Sequence, residues 1–190
     1  MNLLSHTLWP RFLAALIGLA LTNHSVLAQE SVKSDNLLTN GSFEKGIEGW
    51  TLNAHEKIGQ VAIDEKEKHG SKPSLRLENP SGDDTFLKQT VTVKPNTKYR
   101  LSGYIKTKDV QTVKREGKDG ASLSVGGGFV KTPPIVKSKS WTKVTHEFAT
   151  GAETEIEVGP RLGFFSALTT GTAWFADLSL DELGRTTTRR

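Results

Sequence analysis

The sequence predicts an all-β domain, an antiparallel β-sandwich of the jelly-roll kind. Apolar residues alternate with polar ones at a period of two, as in Tyr99, Leu101 and Ile105, which is the pattern of a strand buried on one face. Turn-forming clusters such as 69–73 and 79–82 separate these segments, and no stretch after the first 28 residues keeps a helical period over three turns. About nine short strands without long linkers predict one sandwich.

The first 28 residues have the features of a signal peptide. The apolar run Phe12–Leu21 follows Arg11, and small side chains precede a predicted cleavage after Ala28. A membrane anchor is the weaker alternative, because the run is about half as long as a segment that crosses a bilayer. We therefore expect an exported protein that is free in the periplasm or outside the cell.

Three further segments follow the predicted leader. Residues 29–35 are expected to be a flexible N-terminal segment, 36–183 the folded domain and 184–190 a disordered tail, because both end segments contain few apolar residues. The chain has no Cys, so the domain must be held by its core or by a metal ion. Its net charge is only +4 and its basic residues are interleaved with acidic ones, so a nucleic-acid partner is not indicated.

The sequence contains no recognisable catalytic motif. The three His residues after the leader, His55, His69 and His146, are not spaced as a zinc site, and the H-E-x-x-H and G-x-S-x-G motifs and a Cys nucleophile are absent. A pair of carboxylates for glycoside hydrolysis depends on spatial distance and stays open at this stage. We predict a protein that is not an enzyme.

Five segments carry motifs in a recognisable order. The first, Asn36–Thr51, contains N-L-L-T-N-G-S-F-E-K-G-I-E-G-W, and the others are 69–77, 89–107, 141–148 and 172–182. Together they resemble the galactose-binding-like carbohydrate-binding modules of families 4, 9, 16 and 22 over nearly all of residues 36–183. The resemblance implies a galactose-binding-domain-like sandwich and carbohydrate binding, although this architecture also occurs in proteins that bind other ligands.

The same resemblance implies a structural Ca²⁺ site that joins the first and last strands. Glu44 matches the Glu of the opening pattern, and Asp177 matches the second Asp of the closing pattern, where Ala176 replaces the first. The other implied ligands are the backbone carbonyls of Ser42 and Lys68 and the carboxylate of Glu65, or of its neighbours Asp64 or Glu67. Oxygen ligands of these kinds suit Ca²⁺. The alternative is that Glu44 and Asp177 only cap turns or pair with lysine.

Sugar binding needs an aromatic face and side chains that hydrogen-bond to hydroxyl groups. Trp50, Trp141 and Trp174 occupy positions that favour core packing, so we predict a face formed by outward residues of the middle strands. The predicted ligand-binding residues are Phe86, Gln89, Tyr104, Lys106, Glu157 and Arg161, with Tyr104 as the stacking ring. An Arg–Glu pair on this face would suit an acidic or sulfated glycan. The alternative is an ordinary solvated sheet face.

The predicted function is non-catalytic binding of a polysaccharide or cell-surface glycan by a monomer, with a glycan-active enzyme as a candidate partner. Two alternatives stay open, namely a structural or interaction β-sandwich of the cell envelope without sugar specificity, and an accessory domain of a hydrolase or lyase. An exposed Tyr104 beside Glu157 and Arg161 would distinguish glycan binding from the structural role.

Overall fold

The computed structural model describes residues 35–113, 119–126, 130–165 and 167–185, and these contain nine β-strands and no helix. The strands are β1 Thr51–Ala54, β2 Gln60–His69, β3 Lys72–Asp83, β4 Thr85–Thr92, β5 Thr97–Thr112, β6 Ala121–Val125, β7 Lys137–Ala149, β8 Glu155–Leu162 and β9 Thr169–Arg185. The predicted all-β class is confirmed. Within these ranges there is accordingly no helix that could span a bilayer.

The strands form two antiparallel sheets that face each other. One has four strands in the order β1-β4-β8-β6, and the other has five in the order β2-β3-β9-β5-β7. The apolar residues whose period predicted the strands lie between the sheets; among the fully inaccessible ones are Leu75, Leu87, Tyr99, Ile105, Val158 and Leu180. Because the chain has no cysteine, burial of this apolar surface is the main source of its stability.

The two ends of the domain lie side by side as the resemblance implies, but the opening segment consists of turns, and the first strand, β1, belongs to the other sheet from β9. The backbone N–H of Leu37 donates to the carbonyl of Leu180, and the N–H of Leu178 donates to the carbonyl of Gly41, both at 2.9 Å. The Asn36 side chain adds two bonds to the same strand, one to each of these leucines. The opening segment is therefore fixed along β9.

The last strand contains a β-bulge that the alternation in the sequence does not reveal. Ser102 pairs with Ser179 but Tyr104 pairs with Ala176, so β9 has one additional residue at this point. Asp177, within the bulge, has a φ of 49°. The bulge reverses which side chains face the core, so the prediction that Trp174 shares the core face with Leu178 and Leu180 was wrong. Trp174 lies on the outer face of the five-stranded sheet.

The predicted ends of the domain need one correction. Gly184 and Arg185 were assigned to the disordered tail, but both belong to β9. Asp35 is described and is exposed. The predicted signal peptide, residues 29–34 of the predicted flexible segment and residues 186–190 of the predicted tail lie outside the described residues.

Candidate functional site

The outer face of the four-stranded sheet carries side chains in regular rows. Antiparallel partners share a face, so Asn53 of β1, Phe86 of β4 and Arg161 of β8 form one row. The neighbouring rows contain Thr51 with Lys88, and Thr90 with Glu157. The structure thus brings together Phe86, Glu157 and Arg161, which are three of the six predicted ligand-binding residues.

One end of this face is a cleft of about 370 Å³. It is lined by Asn53, His55, Asp84, Phe86, Arg161 and Phe165. Arg161 donates from Nε to Asp84 Oδ1 at 2.7 Å and from Nη2 to Asp84 Oδ2 at 2.5 Å, and both side chains are buried. A bidentate pair of this geometry neutralises both charges and holds the guanidinium in one orientation.

Aromatic rings surround the guanidinium of Arg161. Its Cζ lies 5.1 Å from the ring centroid of Phe86, 4.8 Å from that of Phe164 and 4.6 Å from that of Phe165. Such contacts fix a planar cation against rings. Phe165 is 45% exposed and has a φ of 51°, an unusual conformation for a bulky residue. The turn after β8 therefore presents an aromatic side chain to solvent at the mouth of the cleft.

The other end of the face is a polar groove of about 530 Å³ beside Thr51, Lys88, Thr90 and Glu157. Lys88 Nζ donates to Glu157 Oε1 at 2.5 Å, so these two charges also compensate each other. Ser122 and Ser124 of the neighbouring strand β6 are both buried and hydrogen-bonded to each other. The exposed surface therefore ends at β8.

Gln89 was predicted to bind ligand, but its side chain holds a loop instead. Its Nε2 donates to the carbonyls of Thr39 and Gly49, and its Oε1 accepts the backbone N–H of Thr39 at 2.8 Å. With these bonds made and the residue buried, the amide has no free group for a sugar hydroxyl. The reason is parity, since Gln89 points to the same side of β4 as Leu87 and Val91, which face the core.

The loop that carries His55 into the cleft is held by Asp83. The carboxylate of Asp83, which is inaccessible to solvent, accepts the backbone N–H groups of Glu56, Ile58, Gly59 and Asp84 at 2.7–3.1 Å. Burial alone would raise the pKa of Asp83, but the four donors outweigh it and hold the pKa below its ordinary value. This ionised side chain therefore positions one wall of the cleft.

Tyr104 and Lys106 lie on β5, on the outer face of the other sheet, so the prediction that Tyr104 stands beside Glu157 and Arg161 was wrong. Alternation shows which residues point outward but not which sheet contains them. The Tyr104 ring stacks on His69 with centroids 3.9 Å apart, and His69 also contacts Trp141 at 5.3 Å. Lys106 Nζ donates to Glu67 Oε2 at 2.5 Å. These two residues cannot serve the same ligand-binding face as Phe86 and Arg161.

Phe165 is the functional candidate that the sequence reasoning missed. It lies between strands, in the segment Gly163–Ala167, where no period of two marks a residue as outward. The available signal was the pair Phe164-Phe165 directly after a glycine, because two large apolar side chains in a turn cannot both enter the core. Phe164 is buried and Phe165 is exposed.

The residues predicted to hold Ca²⁺ are engaged with other protein groups. Ser42 Oγ donates to Glu44 Oε2 at 2.7 Å and Lys72 Nζ lies 3.6 Å from the same oxygen, and these two contacts, in that order, lower the pKa of Glu44. His69 Nδ1 lies 2.7 Å from Asp177 Oδ2.

Glu65, the third predicted carboxylate ligand, lies 3.6 Å from the Nζ of Lys68, whose carbonyl was also an expected ligand. Among the described residues no three His, Cys, Asp or Glu side chains gather closely enough to hold a metal ion. The three predicted carboxylates therefore do not converge in this arrangement, and calcium binding stays a prediction of the resemblance alone.

Thermal unfolding in calcium and in chelator tests whether Glu44 and Asp177 bind an ion or keep their protein partners. Because Glu44 and Asp177 already have cationic or hydrogen-bonding partners, we expect the midpoint in 5 mM EDTA and in 5 mM CaCl₂ to agree within about 1 °C. Saturation of a specific site would instead raise the midpoint by about 2–4 °C or more. Such a rise would show that these side chains rearrange around an ion.

Comparison with known proteins identifies relatives of this domain. A family model described as "Carbohydrate binding domain" matches residues 35–159. Exochitinase 1 of Streptomyces olivaceoviridis is 31% identical over 147 residues, which are 76% of this chain and 22% of that protein. The tRNA nuclease WapA of Bacillus subtilis (strain 168) is 37% identical over 82 residues, which are 39% of this chain and 4% of that protein. The chain thus spans less than a quarter of these relatives.

Solved structures share the sandwich. The CBM22-1 xylan-binding domain from Paenibacillus barcinonensis Xyn10C superposes with a TM-score of 0.55 at 17% identity, covering 81% of this chain and 97% of that one. TmCBM61 in complex with β-1,4-galactotriose superposes with a TM-score of 0.52 at 20% identity, covering 78% and 99%. At these identities the likeness establishes the fold, which confirms the predicted β-sandwich.

Proposed function

The chain belongs to the family of carbohydrate binding domains and binds carbohydrate. We propose that its ligand is an uncharged stretch of polysaccharide, which lies along the outer face of the four-stranded sheet. The observation that carries the proposal is the exposed ring of Phe165 at one end of an open, otherwise polar face. An aromatic face can pack against the C–H side of a pyranose ring. The groove beyond it supplies hydrogen-bonding groups.

The charges on this face support a neutral ligand. Arg161 is paired with Asp84 and Lys88 with Glu157, so each cation already has an anion as its hydrogen-bond partner. An acidic sugar would have to compete with these carboxylates for the same donors. Hydroxyl groups of a neutral sugar can bond to the unused lone pairs and N–H groups of both pairs without breaking them.

Absence of catalysis is part of the proposal. Glycoside hydrolysis requires one carboxyl group that is protonated and a second that is free to act as a base or nucleophile. Asp84 of the cleft and Glu157 of the groove each already accept a hydrogen bond from a cation, so neither carboxylate is free to act as an acid, base or nucleophile. This pairing supports a binding role over a hydrolase or lyase role.

The structural alternative predicts a face without an exposed aromatic residue, and the exposure of Phe165 therefore favours ligand binding over it. Export, a monomeric state and recruitment of a glycan-active enzyme also belong to the proposal. Export is supported by the apolar run Phe12–Leu21 before Ala28. A role beside an enzyme is supported by Exochitinase 1, in which the matched region is only 22% of the protein.

Replacing Phe165 with alanine tests the binding face. We expect Phe165→Ala to weaken binding to the preferred neutral polysaccharide by about tenfold, the loss of one stacking contact. Affinity electrophoresis in gels containing chitin derivatives, xylan or β-1,4-galactan measures the effect. Leu183→Ala is the matched control, because Leu183 is a 39% exposed apolar residue on the other sheet. Equal binding by both variants would refute the choice of face.

A further inference from the structure

A second cleft lies on the outer face of the five-stranded sheet. It has a volume of about 330 Å³ and is lined by Glu67, Lys106, Thr107, Lys108, Ser138, Lys139, Ser140 and Trp174. Segment 64–69 of β2 forms one wall, because Glu67 reaches across to Lys106. Strand β7 forms the opposite wall. This cleft belongs to neither the groove nor the aromatic cleft of the four-stranded sheet.

The cleft has positive charge that the protein compensates only in part. Lys106 is paired with Glu67, whereas the exposed Asp109, next to Lys108 in the chain, accepts a hydrogen bond from the uncharged Ser138 Oγ, so Asp109 is a nearby carboxylate that offsets part of the positive charge. Lys108 and Lys139, in contrast, are exposed and have no ion pair or side-chain hydrogen bond within the described ranges. The cleft is therefore lined by two ammonium groups without a carboxylate partner in the part of the chain that the structure describes.

The floor of the cleft is rigid and apolar. Trp174 is only 8% exposed although it lies outside the core. Its Nε1 donates to Asp64 Oδ2 at 2.9 Å, and Lys106 Nζ lies 5.6 Å from the ring centroid. Hydrogen bonds from the Trp174 indole and from two backbone N–H groups lower the pKa of Asp64, the N–H of Glu67 contributing most. The wall segment is thus fixed by an ionised side chain.

The two sheet faces differ in the state of their cations. On the four-stranded sheet, Arg161 and Lys88 are each bound to a carboxylate, whereas Lys108 and Lys139 of this cleft are unpaired among the residues described. An anion entering the first face must displace a carboxylate, but an anion entering this cleft gains attraction without that cost. If a polysaccharide contains both neutral and acidic sugars, we therefore expect its acidic groups to bind in the cleft of the five-stranded sheet.

We propose that this cleft is a second carbohydrate-binding site, specific for the carboxylate or sulfate groups of an acidic polysaccharide. The ligand class rests on the proposed function, but the location does not depend on which residues form the first site. Lysine ammonium groups bind the anionic oxygens, and the Ser140 hydroxyl in the lining can bond to a sugar hydroxyl. Nucleic acid is disfavoured because the one aromatic ring of the cleft is covered and cannot stack on bases.

The double variant Lys108→Ser/Lys139→Ser tests this site. We expect it to weaken binding to dextran sulfate or polygalacturonate at least about tenfold in 50 mM NaCl, to flatten the salt dependence, and to leave neutral polysaccharide binding unchanged. Comparison of the two acidic polymers identifies whether sulfate or carboxylate is preferred. The matched control is Lys45→Ser/Lys98→Ser, which removes the same charge from exposed lysines outside the cleft. Lys98 lies ten residues from Lys108 along β5, which is about 33 Å of extended strand.

Three outcomes would overturn the proposal. The first is an equal loss of acidic-polysaccharide binding in the control variant. The second is a loss of that binding in Phe165→Ala but not in the lysine variant. The third is binding of single-stranded DNA as tight as that of the acidic polymers. Failure of the first site gives a different result, namely no binding of any neutral polysaccharide while the lysine variant still loses the acidic ones. The two proposals can therefore fail separately.

Discussion

Replacing Arg161 with methionine is expected to lower the free energy of unfolding by about 3–5 kcal/mol, because it leaves the carboxylate of Asp84 buried without its counter-charge. Asp84 is 5% exposed and makes both of its Arg161 bonds inside the aromatic cluster of Phe86, Phe164 and Phe165. Urea denaturation at pH 7, followed by tryptophan fluorescence, measures the change. Sugar binding at this cleft should be lost in parallel, since the same side chain orients the rings.

Two controls isolate the effect of burial at Arg161. Arg100 donates two hydrogen bonds to Glu147, but that pair is solvent-exposed, so Arg100→Met should cost less than about 1 kcal/mol. The double variant Arg161→Met/Asp84→Leu should recover much of the loss, because no buried charge remains unpaired. Similar costs for Arg161→Met and Arg100→Met would contradict the account of the cleft.

Asp83→Ala is expected to lower the free energy of unfolding by about 3 kcal/mol or more, since four backbone N–H groups lose their acceptor together. The same variant should release the loop of His55 from the cleft and weaken sugar binding. Urea denaturation and affinity electrophoresis measure the two effects. Glu155→Ala is the control, because Glu155 is exposed and has no ion pair in the described part of the chain. Its expected change is within about 0.5 kcal/mol.

The pH dependence provides an independent test of Asp83. Its pKa is lower in the folded state than in the unfolded state, so its stabilising contribution is complete above the unfolded value of about 3.9. The contribution is lost as pH falls through the lowered folded pKa. Below about pH 4 the wild type should therefore lose stability more steeply than Asp83→Ala. Parallel curves would show that Asp83 is not ionised in the folded protein.

Much of the fold could be predicted from the sequence, because strands are marked by a local pattern of apolar and polar residues. Alternation at period two identifies strands, and Leu101 and Ile105 entered the core as predicted. The contact between the chain ends followed from the motifs around Asn36 and Leu178. The bulge at Asp177 could not be predicted, because one additional residue in a ladder leaves the composition of the strand unchanged, yet it turns Trp174 outward and Phe175 into the core.

The candidate site was only partly predictable, because it depends on which strands become neighbours. Phe86 and Arg161 came together because β4 and β8 pair, whereas Tyr104 has the same outward parity on the other sheet. The match of Glu44 and Asp177 to a family pattern did not reveal that Lys72 and His69 would approach them. Pairings of this kind are set by the packing of the whole domain and are not visible in local spacing.

The most direct measurement of the binding face is a titration of ¹⁵N-labelled protein with the neutral oligosaccharide that binds best, followed by amide chemical shifts. Ligand on the outer face of the four-stranded sheet should shift the amides of Asn53, His55, Thr90, Glu157 and Phe165 and leave those of Tyr104 and Lys143 unchanged. The opposite pattern, with the largest shifts at Tyr104 and Lys143, would contradict the account.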